Sequence, residues 1–217
     1  LDELGVERIR FMTSLPKDLS DDLIAAMAEC SHVCNHLHLP VQSGNDEILR
    51  RMNRRYTRKD YLRKVEKLRA AVPGIGLTTD LIVSFPGETE SQFEDTCSLV
   101  REVGYDAAFT FIYSPRTGTR AAAMEGRIAQ EESTRRIEKL IREVEASTAR
   151  VHASMIGQRE EVLVESISKR DENKVSGKGR RSITVTLEGS EADIGKIIPV
   201  TITSAAVNTL RGERTER

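Results

Sequence analysis

The sequence predicts an α/β chain in which part of a parallel βα barrel is followed by a small antiparallel β-barrel. Three observations predict this fold class. Strand-like and helix-like segments alternate through the first half, a long amphipathic segment begins near residue 130, and short strand-like segments separated by Lys, Asn, Gly and Ser follow it. We therefore expect three regions, at residues 1–129, 130–153 and 154–217.

Composition narrows the class of protein. The 217 residues are 38% hydrophobic and 31% charged, as in ordinary soluble proteins, and no apolar run reaches membrane-spanning length, so we expect no membrane partner. The odd count of three cysteines, without a signal peptide, favours the cytoplasm. The net charge of -1 means that any nucleic-acid affinity depends on local basic patches. The opening LDELG, which lacks Met, suggests that an N-terminal portion of a longer protein is missing.

The first strand–helix unit is predicted at the start of the chain. Val6–Thr13 is strand-like, residues 15–17 form a loop, and Ser20 caps a helix with an acidic first turn. Leu23, Ile24 and Met27 would face inward.

Three further units follow the same plan. The second has a strand over residues 36–41, a polar loop over residues 42–44, and helices that begin at Asn45 and near Thr57. The third has a strand over residues 76–84 and a helix that opens with the capping box of Thr89 and Gln92. The fourth strand is predicted over residues 105–113. Active sites of parallel βα units lie in the loops at the carboxyl ends of the strands, and four strands cannot close a barrel.

The long amphipathic segment is predicted to be one helix that leaves the first region. One face carries Ile137, Leu140, Ile141, Val144, Val151 and Met155. The β-rich tail has strand candidates at residues 160–167, 181–187, 197–203 and 205–210.

Basic residues are concentrated in two places. Residues 45–70 hold ten Lys or Arg against four acids, and residues 168–181 hold six against two. Most runs of charged residues are simply solvent-exposed surface, but this excess of cations makes RNA contact an equally good interpretation.

Two other pairs are candidates for metal ligands. Cys30 and Cys34 have part of an iron–sulfur spacing, but the next position, residue 37, is Leu, so core packing is the better interpretation. His36 and His38 share a strand face without a third ligand, which favours structural polar packing.

Four segments carry a resemblance to a known family. They are His38–Gly44 (HLPVQSG), Arg51–Arg58 (RMNRRYTR), Thr79–Thr89 (TDLIVSFPGET) and Phe109–Thr119 (FTFIYSPRTGT). They resemble the radical-SAM methylthiotransferases, in the branch that acts on dimethylallyladenosine in tRNA. The tail, from about residue 154, resembles the family's RNA-binding TRAM domain, so the first region would be the C-terminal part of the radical-SAM partial barrel.

The resemblance implies a cofactor set and a reaction. A 4Fe-4S cluster cleaves S-adenosylmethionine to a radical that takes hydrogen from adenine. A second 4Fe-4S cluster supplies sulfur, and another S-adenosylmethionine supplies the methyl group. The product is a 2-methylthio group on the adenosine next to the anticodon. The expected partners are the anticodon arm of tRNA and the N-terminal cluster domain of the same parent protein, in a monomer.

Site residues are assigned on that picture from their strand-end positions. The assignment to S-adenosylmethionine is Gln42, Ser43, Asp80 and Glu88. The assignment to adenine, phosphate and the RNA backbone is Tyr113, Arg116, Arg50, Arg54, Arg55 and Arg58, together with Lys169, Arg170, Lys178, Arg180 and Arg181 of the tail. No catalytic residue and no metal ligand is assigned within this chain.

The sequence departs from the family in two respects. Ser84 stands where the family usually has Gly. Because Ser has a side chain, we expect the close approach to the backbone that Gly permits to be altered there. The cluster motif Cys-x-x-x-Cys-x-x-Cys is absent, so we expect both clusters to have their ligands outside this chain and these 217 residues alone to be inactive. Iron–sulfur absorbance after anaerobic reconstitution of the chain would refute that expectation.

Three rival interpretations stay open from the sequence. The first is a sister methylthiotransferase that acts on threonylcarbamoyladenosine in tRNA or on a ribosomal protein. The second is an unrelated βα-barrel enzyme with an RNA-binding tail. The third is an RNA-binding module without catalysis.

Overall fold

The computed structural model describes residues 5–13 and 15–215 and contains five α-helices and eight strands. The helices are α1 (Asp21–Glu29), α2 (Asp46–Arg51), α3 (Arg58–Ala71), α4 (Glu90–Val103) and α5 (Gln130–Ala153). The strands are β1 (His36–His38), β2 (Gly76–Val83), β3 (Ala107–Ile112), β4 (Arg159–Ser168), β5 (Asp171–Lys178), β6 (Thr184–Glu188), β7 (Ile197–Ala205) and β8 (Thr209–Arg214). None of the described helices is both long and apolar enough to cross a membrane.

Strands β1, β2 and β3 form a parallel sheet in that order, as the alternating pattern predicts. Leu37, Leu77 and Leu81 are buried against the helices in the larger hydrophobic core. The opposite side of the sheet carries Asp80 and Phe109, which are paired in register, and is not covered by a described helix. We call it the open face.

The prediction of a strand over residues 6–13 is wrong. Over residues 5–13, the only bridge is between Ile9 and Val33. Backbone bonds to the neighbouring segment form at Ile9 and Thr13 only, because the segment runs beside β1 without staying in register with it. Three parallel strands are therefore described instead of four, and β1 is shorter than predicted because Pro40 lacks the N–H that a strand ladder needs.

The predicted helix starts are confirmed. Ser20 accepts a hydrogen bond from the backbone of Leu23, and both Thr57 with Asp60 and Thr89 with Gln92 form complete capping boxes. These bonds satisfy backbone donors that would otherwise have no partner at the helix ends.

Helix α5 packs on α4 and β3 and leads into the tail. Leu140 and Val144 of its predicted apolar face are buried, as is Met155 just beyond the helix, but Ile141 is exposed. The apolar stripe is therefore narrower than the sequence predicted.

The tail is a closed five-stranded barrel in the order β4-β5-β6-β8-β7, with its own apolar core. Its pairs are antiparallel, as predicted, except for β6 and β8, which are parallel. The sequence predicts a basic loop where β5 lies. The segment is a strand because it pairs with β4 and β6, and its buried Val175 and Gly177 alternate with partly exposed polar residues.

Four arginines join the barrel to the sheet region. Arg8 and Arg10 donate to backbone oxygens of Lys178, Glu161 and Gly179. Arg180 donates to the backbone oxygens of Ser31 and Val33 and to Asn35 Oδ1, and Arg181 forms an ion pair with Asp106. We call these contacts the interdomain joint.

Candidate functional site

A cleft of about 850 Å³ lies at the carboxyl ends of the parallel strands. We call it the ligand cleft. Its floor is the end of the open face, and its walls come from the end of α2 and the loop after β3. This is the position at which parallel βα units bind ligands, because the loops after the strands converge there.

Gln42 and Asp80 lie side by side in the floor of the cleft. The backbone N–H of Gln42 donates to Asp80 O at 2.9 Å, and Gln42 O accepts from the N–H of Ile82 at 2.9 Å. These bonds hold Gln42 at a φ of +73°, which is uncommon for a residue other than Gly and is typical of functional sites. Asp80 is half-buried, with Oδ1 3.5 Å from His38 Nε2.

An aromatic wall stands beside these polar groups. Phe85 and Tyr113 pack edge to face with ring centroids 5.1 Å apart, and Phe111 is exposed on the open face. The Tyr113 hydroxyl is buried without a hydrogen-bond partner among the described residues. A ligand with a flat ring and a polar edge would use both properties of this wall.

Five arginines surround the cleft. Three of them, Arg50, Arg54 and Arg116, were predicted from the sequence, and the structure brings them together. Arg51 and Arg120 were missed. Arg51 lies over the Phe85 ring at 5.8 Å, and Arg120 is exposed at the start of a short 3-10 helix (Arg120–Ala123). The position of Arg120 soon after the end of a strand was a signal that could have found it.

Ser43 and Glu88 were predicted to bind the cofactor but do not line the ligand cleft. Ser43 is fully buried, and its hydroxyl pairs with Thr96 Oγ1 at 3.3 Å. Glu88 Oε2 accepts from the N–H of Ser84 at 2.7 Å and from Arg136 Nη1 at 3.0 Å. Burial raises the pKa of Glu88, and these two donors oppose the rise.

The role of Glu88 is therefore to fix the loop after β2. Ser84, which its carboxylate holds, has a φ of +62°, a conformation that Gly adopts without steric cost. The left-handed geometry that the family's Gly implies is thus retained with Ser in its place.

The remaining predicted RNA-binding residues divide into two groups. The first group has protein partners. Arg58 donates to Asp95 O and pairs with Glu102 within the first region, and Arg180 and Arg181 bind residues across the interdomain joint. The other group is Arg55, Lys169 and Arg170, which are exposed, and Lys178, which lines a second cavity.

No three His, Cys, Asp or Glu side chains are grouped to hold a metal ion anywhere in residues 5–13 and 15–215. Cys30, Cys34 and Cys97 are free thiols. His36 Nε2 and His38 Nδ1 both contact Thr78 Oγ1, at 3.1 and 3.0 Å, so the predicted polar packing of these two side chains is confirmed.

Comparison with known protein families supplies the decisive observation. The profile of the radical SAM superfamily matches residues 2–100, and that of the TRAM domain matches residues 153–214. This chain belongs to the radical SAM superfamily and carries a TRAM domain. The resemblance seen in the four sequence segments is thereby confirmed, as are the partial α/β barrel and the separate β-barrel.

Curated relatives refine the position within the superfamily. The chain is 49% identical over 209 residues to the tRNA-2-methylthio-N(6)-dimethylallyladenosine synthases of Alkaliphilus oremlandii and Clostridium novyi. It is 45% identical over 212 residues to the protein of the same name from Lachnoclostridium phytofermentans. These alignments cover 96–98% of this chain but 44–46% of the relatives, so the chain spans about half of their length.

A solved radical SAM enzyme shares the fold. Coproporphyrinogen III oxidase (HemN) from Escherichia coli superposes with a TM-score of 0.54 at 20% sequence identity, over 64% of this chain and 32% of that one. At this identity the likeness concerns the fold alone.

Proposed function

We propose that this chain holds S-adenosylmethionine and tRNA in a radical SAM methylthiotransferase that acts on dimethylallyladenosine. The observation that carries the proposal is the ligand cleft, where an acid, an amide, an aromatic wall and five arginines converge at the strand ends. The relatives of the same branch are named for that reaction and contain about twice as many residues as this chain.

The cleft has the groups that S-adenosylmethionine requires. The Asp80 carboxylate can accept hydrogen bonds from ribose hydroxyls or the ammonium group, and the Gln42 amide can both donate and accept. The unpaired Tyr113 hydroxyl and the neighbouring rings suit an adenine. When bound beside an iron–sulfur cluster, S-adenosylmethionine supplies a radical that removes hydrogen from carbon. The work of this chain is to bind, orient and shield the reactants.

The described residues do not provide a cluster site. Cys30 and Cys34 make up one pair of thiols, and no third thiolate completes the set in the part of the chain that the structure describes. We propose that both clusters have their ligands in other parts of the protein and that this chain alone is inactive.

Substrate binding is assigned to the arginines of the cleft. Arg50, Arg54 and Arg116 line the cleft that RNA phosphates would approach, with Arg50 also paired to Glu47, and Lys169 and Arg170 extend the basic surface on the TRAM barrel. The proposed substrate region is the anticodon arm of tRNA. Since the substrate is a tRNA, the proposed location of the protein is the cytoplasm. We propose that the protein works as a monomer in which a cluster-bearing domain packs against this chain.

The test is product analysis with the full-length protein that contains this chain. After anaerobic reconstitution, it is incubated with S-adenosylmethionine, a reductant and tRNA that carries dimethylallyladenosine, and the digested nucleosides are analysed by mass spectrometry. We expect the 2-methylthio nucleoside, and we expect Asp80→Asn to lower its yield at least tenfold, because the carboxylate is lost from the cofactor cleft. Asp22→Asn, on an exposed helix start, is the matched control.

Two results would overturn the proposal. One is methylthiolation of threonylcarbamoyladenosine or of a ribosomal peptide instead of dimethylallyladenosine. The other is retained tRNA binding with no product and no affinity for S-adenosylmethionine.

A further inference from the structure

A second cavity, of about 350 Å³, lies between the open face of the sheet and the TRAM barrel. We call it the interdomain cavity. His36 and Thr78 line it from the sheet, Lys178 and Thr184 from the barrel, and His152 from the end of α5. Since His36 is the first residue of β1, this cavity lies at the amino ends of the strands, away from the ligand cleft.

The interdomain cavity has an excess of positive charge. Lys178 is half-buried; its Nζ donates to Thr184 Oγ1 at 2.8 Å and forms no ion pair with any described carboxylate. Arg181 uses Nε and Nη2 on Asp106, which leaves its Nη1 without an acceptor in the described part of the chain. Asp106 is the one acid among the described cavity residues, and it is already neutralised by Arg181.

The pKa of His36 reflects the positively charged groups near the cavity. Burial is the largest cause that lowers the pKa of His36, and together with the nearby Arg10, His38, Arg181 and Lys178 it brings that pKa to about 4. Three of these groups are Arg or Lys side chains, which carry the sign of charge that attracts an anion.

His152 adds a buried polar atom that needs a partner. Only 2% of the residue is exposed, and its Nδ1–H donates to Ala206 O at 3.0 Å. Its Nε2 is buried with no hydrogen-bond partner among the described residues. An unpaired polar atom of this kind is costly, and a ligand in the cavity would satisfy it.

We propose that the interdomain cavity is a second binding site, specific for a phosphate group. Lys178 Nζ and Arg181 Nη1 would donate to the phosphate oxygens, and the Asn208 amide and Thr184 hydroxyl supply further polar groups in the lining. His152 Nε2 would accept from a phosphate or ribose hydroxyl. The volume accommodates a phosphate with its sugar, so the source is either an RNA backbone or a free mononucleotide.

Binding can be measured on the full-length protein that contains this chain, without clusters or S-adenosylmethionine, so its outcome is independent of the proposed methylthio transfer. Imidazole resonances of His36 and His152 are followed by NMR while inorganic phosphate, adenosine monophosphate or a single-stranded RNA oligonucleotide is added. We expect both resonances to shift, with Lys178→Met weakening binding about tenfold and Lys178→Arg retaining it. The matched control is Lys196→Met, on the exposed loop before β7.

The three probes distinguish the source of the phosphate. Shifts with phosphate or the mononucleotide support a free small anion, and shifts with the oligonucleotide alone support an RNA backbone phosphate. Lys178→Gln provides a second variant if Lys178→Met changes the spectrum of the folded protein. The proposal is overturned if no probe moves the His36 and His152 resonances, or if the Lys178 and Lys196 variants weaken binding equally.

Discussion

Arg181 forms a structural ion pair with Asp106, although its sequence neighbourhood suggests RNA binding. Arg181 lies in a basic segment that predicted RNA contact, yet its guanidinium pairs with Asp106 of the sheet region. Gly76 makes room for the pair, since a Cβ there would overlap Asp106 Oδ2 and lie 3.1 Å from Arg181 Nε. A charge run in a sequence shows how many cations are present but not which acids they meet.

The Asp106–Arg181 pair leads to a prediction about stability. Arg181→Met should lower the free energy of unfolding by about 3–5 kcal/mol at neutral pH, because it leaves a buried carboxylate without its partner. Arg101→Met is the control. Its pairs with Glu94 and Glu143 are largely exposed, so it should cost less than about 1 kcal/mol in the same chemical-denaturation experiment.

The same variant should show a defined pH dependence. Burial raises the pKa of Asp106 in the folded protein, and Arg181 opposes that rise, so removing Arg181 raises the pKa further. Asp106 titrates identically in the two unfolded chains, so the extra stability deficit of the variant depends only on the two folded-state pKa values. The deficit is small below the folded-state pKa of Asp106 in the unchanged protein and grows as the pH rises from there to the higher folded-state pKa in the variant. A deficit that does not change with pH, or that survives in Arg181→Met/Asp106→Asn, would contradict this account.

At the scale of elements, the loop after β1 is held against helix α4 by a close backbone approach. Gly44 N–H donates to Thr96 Oγ1 at 2.9 Å, and a Cβ on Gly44 would lie 2.7 Å from the backbone of Asp95 and Thr96. Since these are backbone atoms of a helix, they cannot move aside singly. Gln42, two residues before Gly44, takes its position in the ligand cleft from the same loop.

Gly44→Ala is therefore expected to destabilise the protein by about 1–3 kcal/mol, the usual cost of overpacking, and to weaken binding of S-adenosylhomocysteine through displacement of Gln42. Unfolding and calorimetric titration measure the two effects. Gly74→Ala is the control, because no atom lies within 4 Å of its Cβ position and only its positive φ opposes the change. Equal losses of affinity for S-adenosylhomocysteine in the two variants would show that the approach at Gly44 does not position Gln42.

The elements themselves were predictable to different degrees. The helix caps at Ser20, Thr57 and Thr89 were predictable because capping depends on residues three apart in the sequence. Strand β5 was not, because its sequence DENKVSGK has few apolar residues and becomes a strand only through pairing with β4 and β6. Segment 6–13 has the composition of a strand but lacks a described partner in register over its length.

At the scale of the whole molecule, the basic residues form two surfaces despite a net charge of -1. One is the mouth of the ligand cleft, and the other is the β4–β5 turn of the TRAM barrel. The interdomain joint fixes the barrel to the sheet region through side chain–backbone bonds of Arg8, Arg10 and Arg180. An RNA held by both surfaces would be set in a fixed orientation to the cleft.

This arrangement predicts a specific salt dependence. Arg116→Gln/Arg120→Gln should weaken binding of an anticodon-arm RNA and reduce the slope of log K against log salt by about 0.7 for each single-stranded phosphate that the variant no longer neutralises. Fluorescence anisotropy at several salt concentrations measures this slope. Arg63→Gln, on an exposed face near Asp60, should leave it unchanged. An unchanged slope in the double variant would exclude the cleft mouth from RNA binding.

The sequence by itself determined the alternation of strands and helices, the helix starts, the separate β-rich tail and the superfamily, because these depend on local periodicity, caps and contiguous motifs. Only the tertiary structure decided which polar residues form the ligand cleft. Gln42, Asp80 and Arg116 meet there although they are far apart in the chain, while Ser43, Glu88 and Arg181 turn to buried partners. The physical reason is that a polar side chain takes its role from the partners that folding brings within hydrogen-bond distance, and those partners are set by strand pairing and helix packing across the whole chain.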